Sequence, residues 1–296
     1  MFVVRLIGGL GNQMFQYAFA RALARRRGLP VKLDASWYAK SDFGSDAPRQ
    51  FMLEKFNIAG ELATAEELRD ARRPSRLAVL AQKALRKLIG ANYGYDPRAF
   101  YARDGSYLEG FWQSERYFAD MADEIRREFS LKAPLSQAAA AILKQIESAD
   151  AAHVQGTKAE ASVSRHVRRG DFVTNKAVPS AFGTVDLAYY RAASRIVTRR
   201  VAAPRCFVFS DDIAWAKENL KYGGPAVYVS RPGISDVEEL ILMSRCRHHI
   251  LANSSFSWWG AWLDPRPDKI VVAPRRWFRD WRFRTSGIVP EGWVRC

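Results

Sequence analysis

Phe2-Val3-Val4-Arg5-Leu6-Ile7 is a short apolar run of the kind that forms a buried strand. Gly8-Gly9-Leu10-Gly11-Asn12 breaks it as a turn. From Gln13 to Arg27, apolar residues including Met14, Tyr17, Ala18 and Ala22 recur at helical spacing until Gly28 stops them. Val31–Asp34 reads as a second short strand, and a strand, turn, helix and strand in that order open a parallel sheet. Residues 35–60 predict a long loop, and 61–90 predict Arg-rich helices broken at Pro74. Tyr107 to Trp112 predicts a strand, and 115–150 predicts helices, the later one rich in alanine. The alternation restarts with a strand at Val163–Val167, a helix at Leu187–Arg200 and a strand at Cys206–Phe209. A helix from Ile213, a strand at Ala226–Val229 and a helix at Asp236–Cys246 follow. A strand at His249–Ala252, a helix through Trp262 and a last strand at Lys269–Ala273 complete the pattern. Two α/β halves are expected, residues 1–150 and 151–296, with the C-terminal tail packing back on the first.

Composition narrows the class. A chain of 296 residues that is 48% hydrophobic and 12% aromatic buries sizeable cores, which excludes wholesale disorder. Three cysteines, Cys206, Cys246 and Cys296, without a C-x-x-C pair, argue against a disulfide framework or a cysteine zinc site. No apolar run approaches the ~20 residues of a membrane span, and Met1–Leu10 lacks the apolar core and cleavage site of a signal peptide. A cytoplasmic protein is expected.

The formal charge is +15, carried by 34 arginines and 12 lysines against 31 acidic residues. Arginine's planar fork matches phosphates and carboxylates, so an anionic partner is expected. Nucleic acid is the weaker reading of that excess, because the basic residues are scattered and no RRM, helix-turn-helix or zinc-finger pattern appears. Leu77–Ile89 places Leu77, Leu80, Ala81, Ala84, Leu85 and Leu88 on one helical face, with Lys83, Arg86 and Lys87 elsewhere. That pattern predicts a packed surface helix, with peripheral contact to anionic lipid as the alternative.

Four segments at strand ends carry candidate chemistry. Gly8-Gly9-Leu10-Gly11-Asn12-Gln13 opens a helix, where backbone N–H groups meet an anion or a sugar hydroxyl. It is neither a dinucleotide fingerprint, since Met14 replaces the third glycine, nor a P-loop. His166-Val167-Arg168-Arg169-Gly170-Asp171 ends a strand in the second half, where open α/β sheets bind ligands. One arginine fork can hold a diphosphate while Asp171 holds the other. Ser210-Asp211-Asp212 ends the next strand and suits a base or ribose, or equally a helix cap. Asn253-Ser254-Ser255-Phe256-Ser257 precedes another helix and reads as a phosphate cradle or a capped helix. Phe111-Trp112-Gln113 reads as an aromatic platform for a sugar or as core. His153, His166, His248 and His249 show no metal-ligand spacing, so no metal is expected.

Together these segments resemble the motifs of the α-1,2-fucosyltransferase family, glycosyltransferase family 11. The resemblance rests on residues 8–18, 110–118, 166–171, 209–212 and 253–260, in family order. It implies a GT-B fold, two Rossmann-like domains facing a central cleft, with GDP-fucose held mainly by the C-terminal domain. It also implies inverting transfer of fucose to the 2-hydroxyl of a terminal β-galactoside, with no cofactor and no divalent metal. An α-1,6 or protein O-fucosyltransferase shares the arginine motif and is the alternative. Carried over, Arg168 and Arg169 clamp the diphosphate, His166 steadies the nucleotide, and Asp171 orients the arginines. Ser210, Asp211 and Asp212 fall to guanine or ribose, and Asn253, Ser254, Ser255 and Ser257 to phosphate. Gly9, Gly11, Asn12 and Gln13, with Trp112 and Gln113, form the acceptor side. No carboxylate lies within Phe172–Val185, where related enzymes carry a base, so Asp34, Asp171 and Glu115 stay open for that role.

Overall fold

Three of the four residues of β1 (Phe2–Arg5) are buried, as a strand covered on both faces requires. The computed structural model describes residues 1–39, 49–71, 92–151, 160–169, 183–222 and 224–296. The Gly8-Gly9 turn leads directly into α1 (Leu10–Arg27), which starts three residues earlier than the periodicity predicts because Leu10 and Gly11 are already buried in its first turn. Gly28 ends α1 at φ 65°, returning its N–H to the carbonyls of Ala24 and Arg25, and three arginines in the last turn complement the helix dipole. β2 (Val31–Asp34) and β3 (Glu61–Leu62) follow, then α2 (Ala65–Asp70), started by a Thr64/Glu67 capping box. β4 (Tyr107–Leu108) and α3 (Ala122–Glu128) complete the unit. The sheet is parallel, in the order β3-β2-β1-β4.

The second unit begins with α4 (Gln137–Ala151), earlier than the expected division at 150. Ile142 and Ile146 of α4 pack with Phe207 and Phe209, and the Asp150 carboxylate accepts the backbone N–H of Ser162 at 2.7 Å. Its remaining elements are β5 (Glu160–Val167), α5 (Leu187–Thr198), β6 (Ala203–Ser210), α6 (Ile213–Asn219), β7 (Ala226–Tyr228), α7 (Asp236–Arg245), β8 (His248–Ile250), α8 (Ser255–Leu263), β9 (Val271–Ala273) and β10 (Val294–Arg295). All pairings are parallel, in the order β10-β9-β8-β5-β6-β7. Numbered within the unit this is 3-2-1-4-5-6, the doubly wound Rossmann order, whose switch point lies between β5 and β8. Helices cover both faces: α5 packs Tyr190, Ala193 and Val197 against Val163 and Val167, and α4 with α7 covers the other face.

The two units are Met1–Lys132 with Asp280–Glu291, and Ala133–Arg279 with Gly292–Cys296. The returning stretch 280–291 is fastened to the first unit by backbone bonds from Tyr93 and Gly94 to Arg284, and from Tyr95 to Ser286 at 2.7 Å. The three cysteines are free thiols, two of them buried. Among the described residues no helix is long and apolar enough to cross a membrane. The expected Leu77–Ile89 helix, His153 and Asp171 lie outside the described residues.

Candidate functional site

β5, β6 and β8 end side by side at the switch point, and their C-terminal ends carry the second-half motifs. Arg168 and Arg169 leave β5 where β6 delivers Asp211 and Asp212. Arg168 Nε lies 3.3 Å from Asp211, and Arg169 Nε lies 3.3 Å from Asp212. The Arg169 backbone N–H also donates to Asp211 at 2.8 Å. The Arg169 guanidinium stacks 3.9 Å above the Trp215 ring, and the Asp212 carboxylate caps α6 by accepting from Trp215 N at 3.0 Å. The carboxylates expected to meet guanine or ribose are therefore engaged by the arginines and a helix end. Asp211 and Asp212 thus hold the arginine pair from the end of β6.

His166 closes this cluster from within the sheet. It is 5% exposed, and its Nδ1 finds no hydrogen-bond partner among the described residues. Its ring lies 5.6 Å from that of Phe256, at the start of α8. Burial pulls its pKa down to about 4; Asp211 opposes the shift and Arg168 adds to it. His166 is thus a neutral imidazole at pH 7.

The β8–α8 turn divides its polar residues between two tasks. Ser254 caps α8, accepting from Phe256 N at 3.3 Å, and Ser254 and Ser255 are both partly exposed. Asn253 and Ser257 differ from the expected phosphate ligands. The Asn253 amide donates to the carbonyls of Gly183 and Trp277 at 2.9 and 3.2 Å. Ser257 is fully buried and donates to the Ser254 carbonyl at 3.3 Å. Both fold the turn. Ser210 is also buried, its hydroxyl accepting from Asp212 N at 2.9 Å. The tryptophans of this motif are core: Trp258 and Trp259 are fully buried, with Trp262 stacked on Trp258 at 6.0 Å.

In the first unit, the ends of β1 and β4 bring the glycine turn together with Trp112 and Gln113. The Gln113 amide donates to Asn12 Oδ1 at 2.9 Å, while its own carbonyl oxygen is buried with no partner among the described residues. Trp112 adopts φ 45°, a left-handed backbone that is strained for a bulky residue. Its ring stacks on Phe19 at 4.4 Å, over Gly110, where a Cβ would stand 2.8 Å from the indole. Gly9 is the N-cap of α1, and Gly11 is buried in its first turn. Gln13 departs from its expected ligand-facing role. It is fully buried, with its amide donating to Gln50 O at 2.8 Å and accepting from Met52 N at 3.0 Å. Of the carboxylates left open for a base, Asp34 is 2% exposed and accepts hydrogen bonds from Tyr107 and Ser36. Glu115 lies in a short 3-10 turn after the platform.

Two groups escaped the sequence reading. Gln16 joins the ends of β1 and β4, accepting from Ile7 N at 3.0 Å and donating to Gly110 O at 3.1 Å. Glu239 of α7 accepts from the Ser230 hydroxyl at 2.8 Å, which in turn accepts from Ser210 N at 2.9 Å. Burial, aided by Asp236 and Asp211, pushes the Glu239 carboxyl up to about 7. A partly buried glutamate on an amphipathic helix has no local spacing signal, so only the fold reveals it. Among the described residues no group of three or more His, Cys, Asp or Glu side chains is arranged to hold a metal ion.

The model of the family described as Glycosyl transferase family 11 matches residues 98–296. Over 305 aligned residues the chain is 31% identical to an Escherichia coli alpha-1,2-colitosyltransferase, covering 99% of this chain and 98% of the relative. It is 26% identical over 272 residues to the Mus musculus galactoside 2-alpha-L-fucosyltransferase Sec1, covering 89% of this chain and 64% of that one. The crystal structure of NodZ alpha-1,6-fucosyltransferase soaked with GDP-fucose superposes with a TM-score of 0.51 at 18% identity, over 92% of this chain and 94% of that one. That likeness is one of fold: two parallel-sheet α/β units of the GT-B class.

Proposed function

The chain belongs to glycosyl transferase family 11, and on that premise we propose that it transfers L-fucose from GDP-β-L-fucose to the 2-hydroxyl of a terminal β-galactoside, with inversion and without a divalent metal. The observation that carries this reading is the arginine pair at the end of β5, each guanidinium held through Nε by its own carboxylate at 3.3 Å. As the bond from fucose to GDP breaks, negative charge grows on the departing diphosphate. Cations already fixed in place stabilise that charge without reorganising. The guanidinium groups of Arg168 and Arg169, fixed in this way, are assigned to the diphosphate.

His166, neutral at pH 7, adds a hydrogen-bonding ring beside the nucleotide without adding charge. Ser254 and Ser255, at the start of α8, are assigned to phosphate oxygens. The turn Gly9–Asn12 with Trp112 and Gln113 is assigned to the acceptor. Asp34 is tied to Tyr107 and Ser36, so the acceptor proton is proposed to leave late, after much of the bond to GDP has broken.

The name of the Escherichia coli relative supports a second reading, in which the transferred sugar is colitose, which lacks the 3-hydroxyl of fucose. Competition between the two GDP-sugars with one β-galactoside acceptor separates the readings. A site built to hydrogen-bond the 3-hydroxyl prefers fucose by a factor on the order of 10² or more in kcat/KM. Preference for the deoxy sugar makes the chain a colitosyltransferase, and transfer of neither removes the proposal.

A further inference from the structure

α6 begins directly after the carboxylates that hold the arginine pair, and its third residue is Trp215. Asp212 joins the two. One of its oxygens caps the helix, accepting from Trp215 N at 3.0 Å, and the other takes Arg169 Nε at 3.3 Å. The indole is partly buried, packed against the hydrophobic cluster that contains Val167, Tyr190 and Ala216. The Arg169 guanidinium carbon lies 3.9 Å from the centre of that ring.

A contact through Nε fixes one atom of a guanidinium and leaves the rest free to turn about it. A ring face under the cation adds a second, broader contact that restrains its tilt. Arginine has several rotatable bonds, and freedom given up in the folded chain does not have to be given up when a ligand arrives. The cluster anchors the indole, the indole seats the cation, and a cation seated beforehand meets growing phosphate charge without reorganising. Filling space over the cluster needs apolar volume alone, which methionine or phenylalanine also supplies. Seating Arg169 needs an aromatic face.

We propose that Trp215 is a positioning residue for donor binding, whose indole sets where the Arg169 guanidinium stands before the diphosphate arrives. This rests on the assignment of Arg169 to the diphosphate and adds the group that acts through it.

Calorimetric titration of GDP into the full chain tests it with Trp215→Met, Trp215→Phe, Arg169→Ala and the double variant Arg169→Ala/Trp215→Met. Trp215→Met is expected to weaken GDP binding by about 5- to 20-fold, and Trp215→Phe, which keeps a ring face, by less than about 3-fold. In the Arg169→Ala background Trp215→Met is expected to change the affinity by less than about 2-fold, because the group it acts through is gone. Equal losses in the Met and Phe variants reduce Trp215 to packing and overturn the proposal. A further loss in the double variant places the indole on the nucleotide itself and also overturns it. Unchanged affinity in Arg169→Ala removes the donor assignment and this proposal with it, whereas a loss there with none in Trp215→Met overturns this proposal alone. A crystal structure of the wild-type chain with GDP reads the same point without any variant. Arg169 on the indole face and against the diphosphate supports the assignment, and a guanidinium lifted off the ring overturns it.

Discussion

Arg169 is held from three directions: Asp212 at Nε, Asp211 at its backbone N–H, and the Trp215 face at 3.9 Å. A lysine in its place has no plane to stack and no second edge to anchor. Arg169→Ala and Arg169→Lys are therefore both expected to weaken GDP binding by on the order of 10- to 100-fold in a calorimetric titration, the loss of a charge-assisted bidentate contact. Unchanged affinity in both variants would remove the arginine from the diphosphate. His166 supplies a second residue-scale prediction. Its pKa falls to about 4 in the fold against 6.5 for an ordinary histidine, so below pH 6.5 the unfolded chain takes up a proton that the folded chain refuses. Stability must then fall as the pH drops through that window, by on the order of 2 kcal/mol between pH 7 and pH 5. Urea unfolding at the two pH values should show a smaller drop for His166→Gln than for the parent. Comparing the two proteins cancels the contributions of His249 and Glu239.

At the scale of elements, α8, whose first turn sets Phe256 5.6 Å from the His166 ring, sits tightly on α7. Gly260 makes that approach: a Cβ there would lie 2.7 Å from Met243 Cγ and closer still to the sulfur. Gly260→Ala should destabilise by about 1–3 kcal/mol through overpacking, with part recovered by adding Met243→Ala, as denaturant midpoints would show. No recovery would place the strain elsewhere. The far end of α8 is clasped by a buried line, Ser164 to His249 at 2.8 Å and His249 to Asp264 at 3.1 Å, with Arg266 on the other Asp264 oxygen at 2.7 Å. β1 and the Cys206–Phe209 stretch of β6 were legible in the sequence as plain apolar runs, and β2 and β5, despite Lys32, Arg165 and His166 within them, from the β/α alternation around them. β3 and β10 were not, because two residues at a sheet margin owe their conformation to the neighbouring strand. The division after Lys132 was hidden for a related reason: the apolar face of α4 does not say which sheet it will cover. Within the site, the arginines and their strand end were legible. The uses of Gln13, Asn253 and Ser257 were not, because a polar side chain that fastens a turn looks in sequence like one offered to a ligand.

Across the whole molecule the net charge of +15 suggests a broad anionic partner, yet the part assigned to chemistry is one pair of guanidinium groups at a switch point. That pair reconciles a basic chain, a Rossmann-ordered sheet and membership of glycosyl transferase family 11. It also makes a demand on the reaction, since fixed cations in the role often taken by a divalent ion should leave transfer indifferent to chelation. The linkage formed from GDP-β-L-fucose and a terminal β-galactoside in excess EDTA, read by NMR of the purified product, tests this most directly. The expected result is a single α-linked fucose on O2 of galactose, formed at the same rate with and without the chelator. Fucose on another oxygen, a β linkage, or loss of activity in EDTA that magnesium or manganese restores would contradict it.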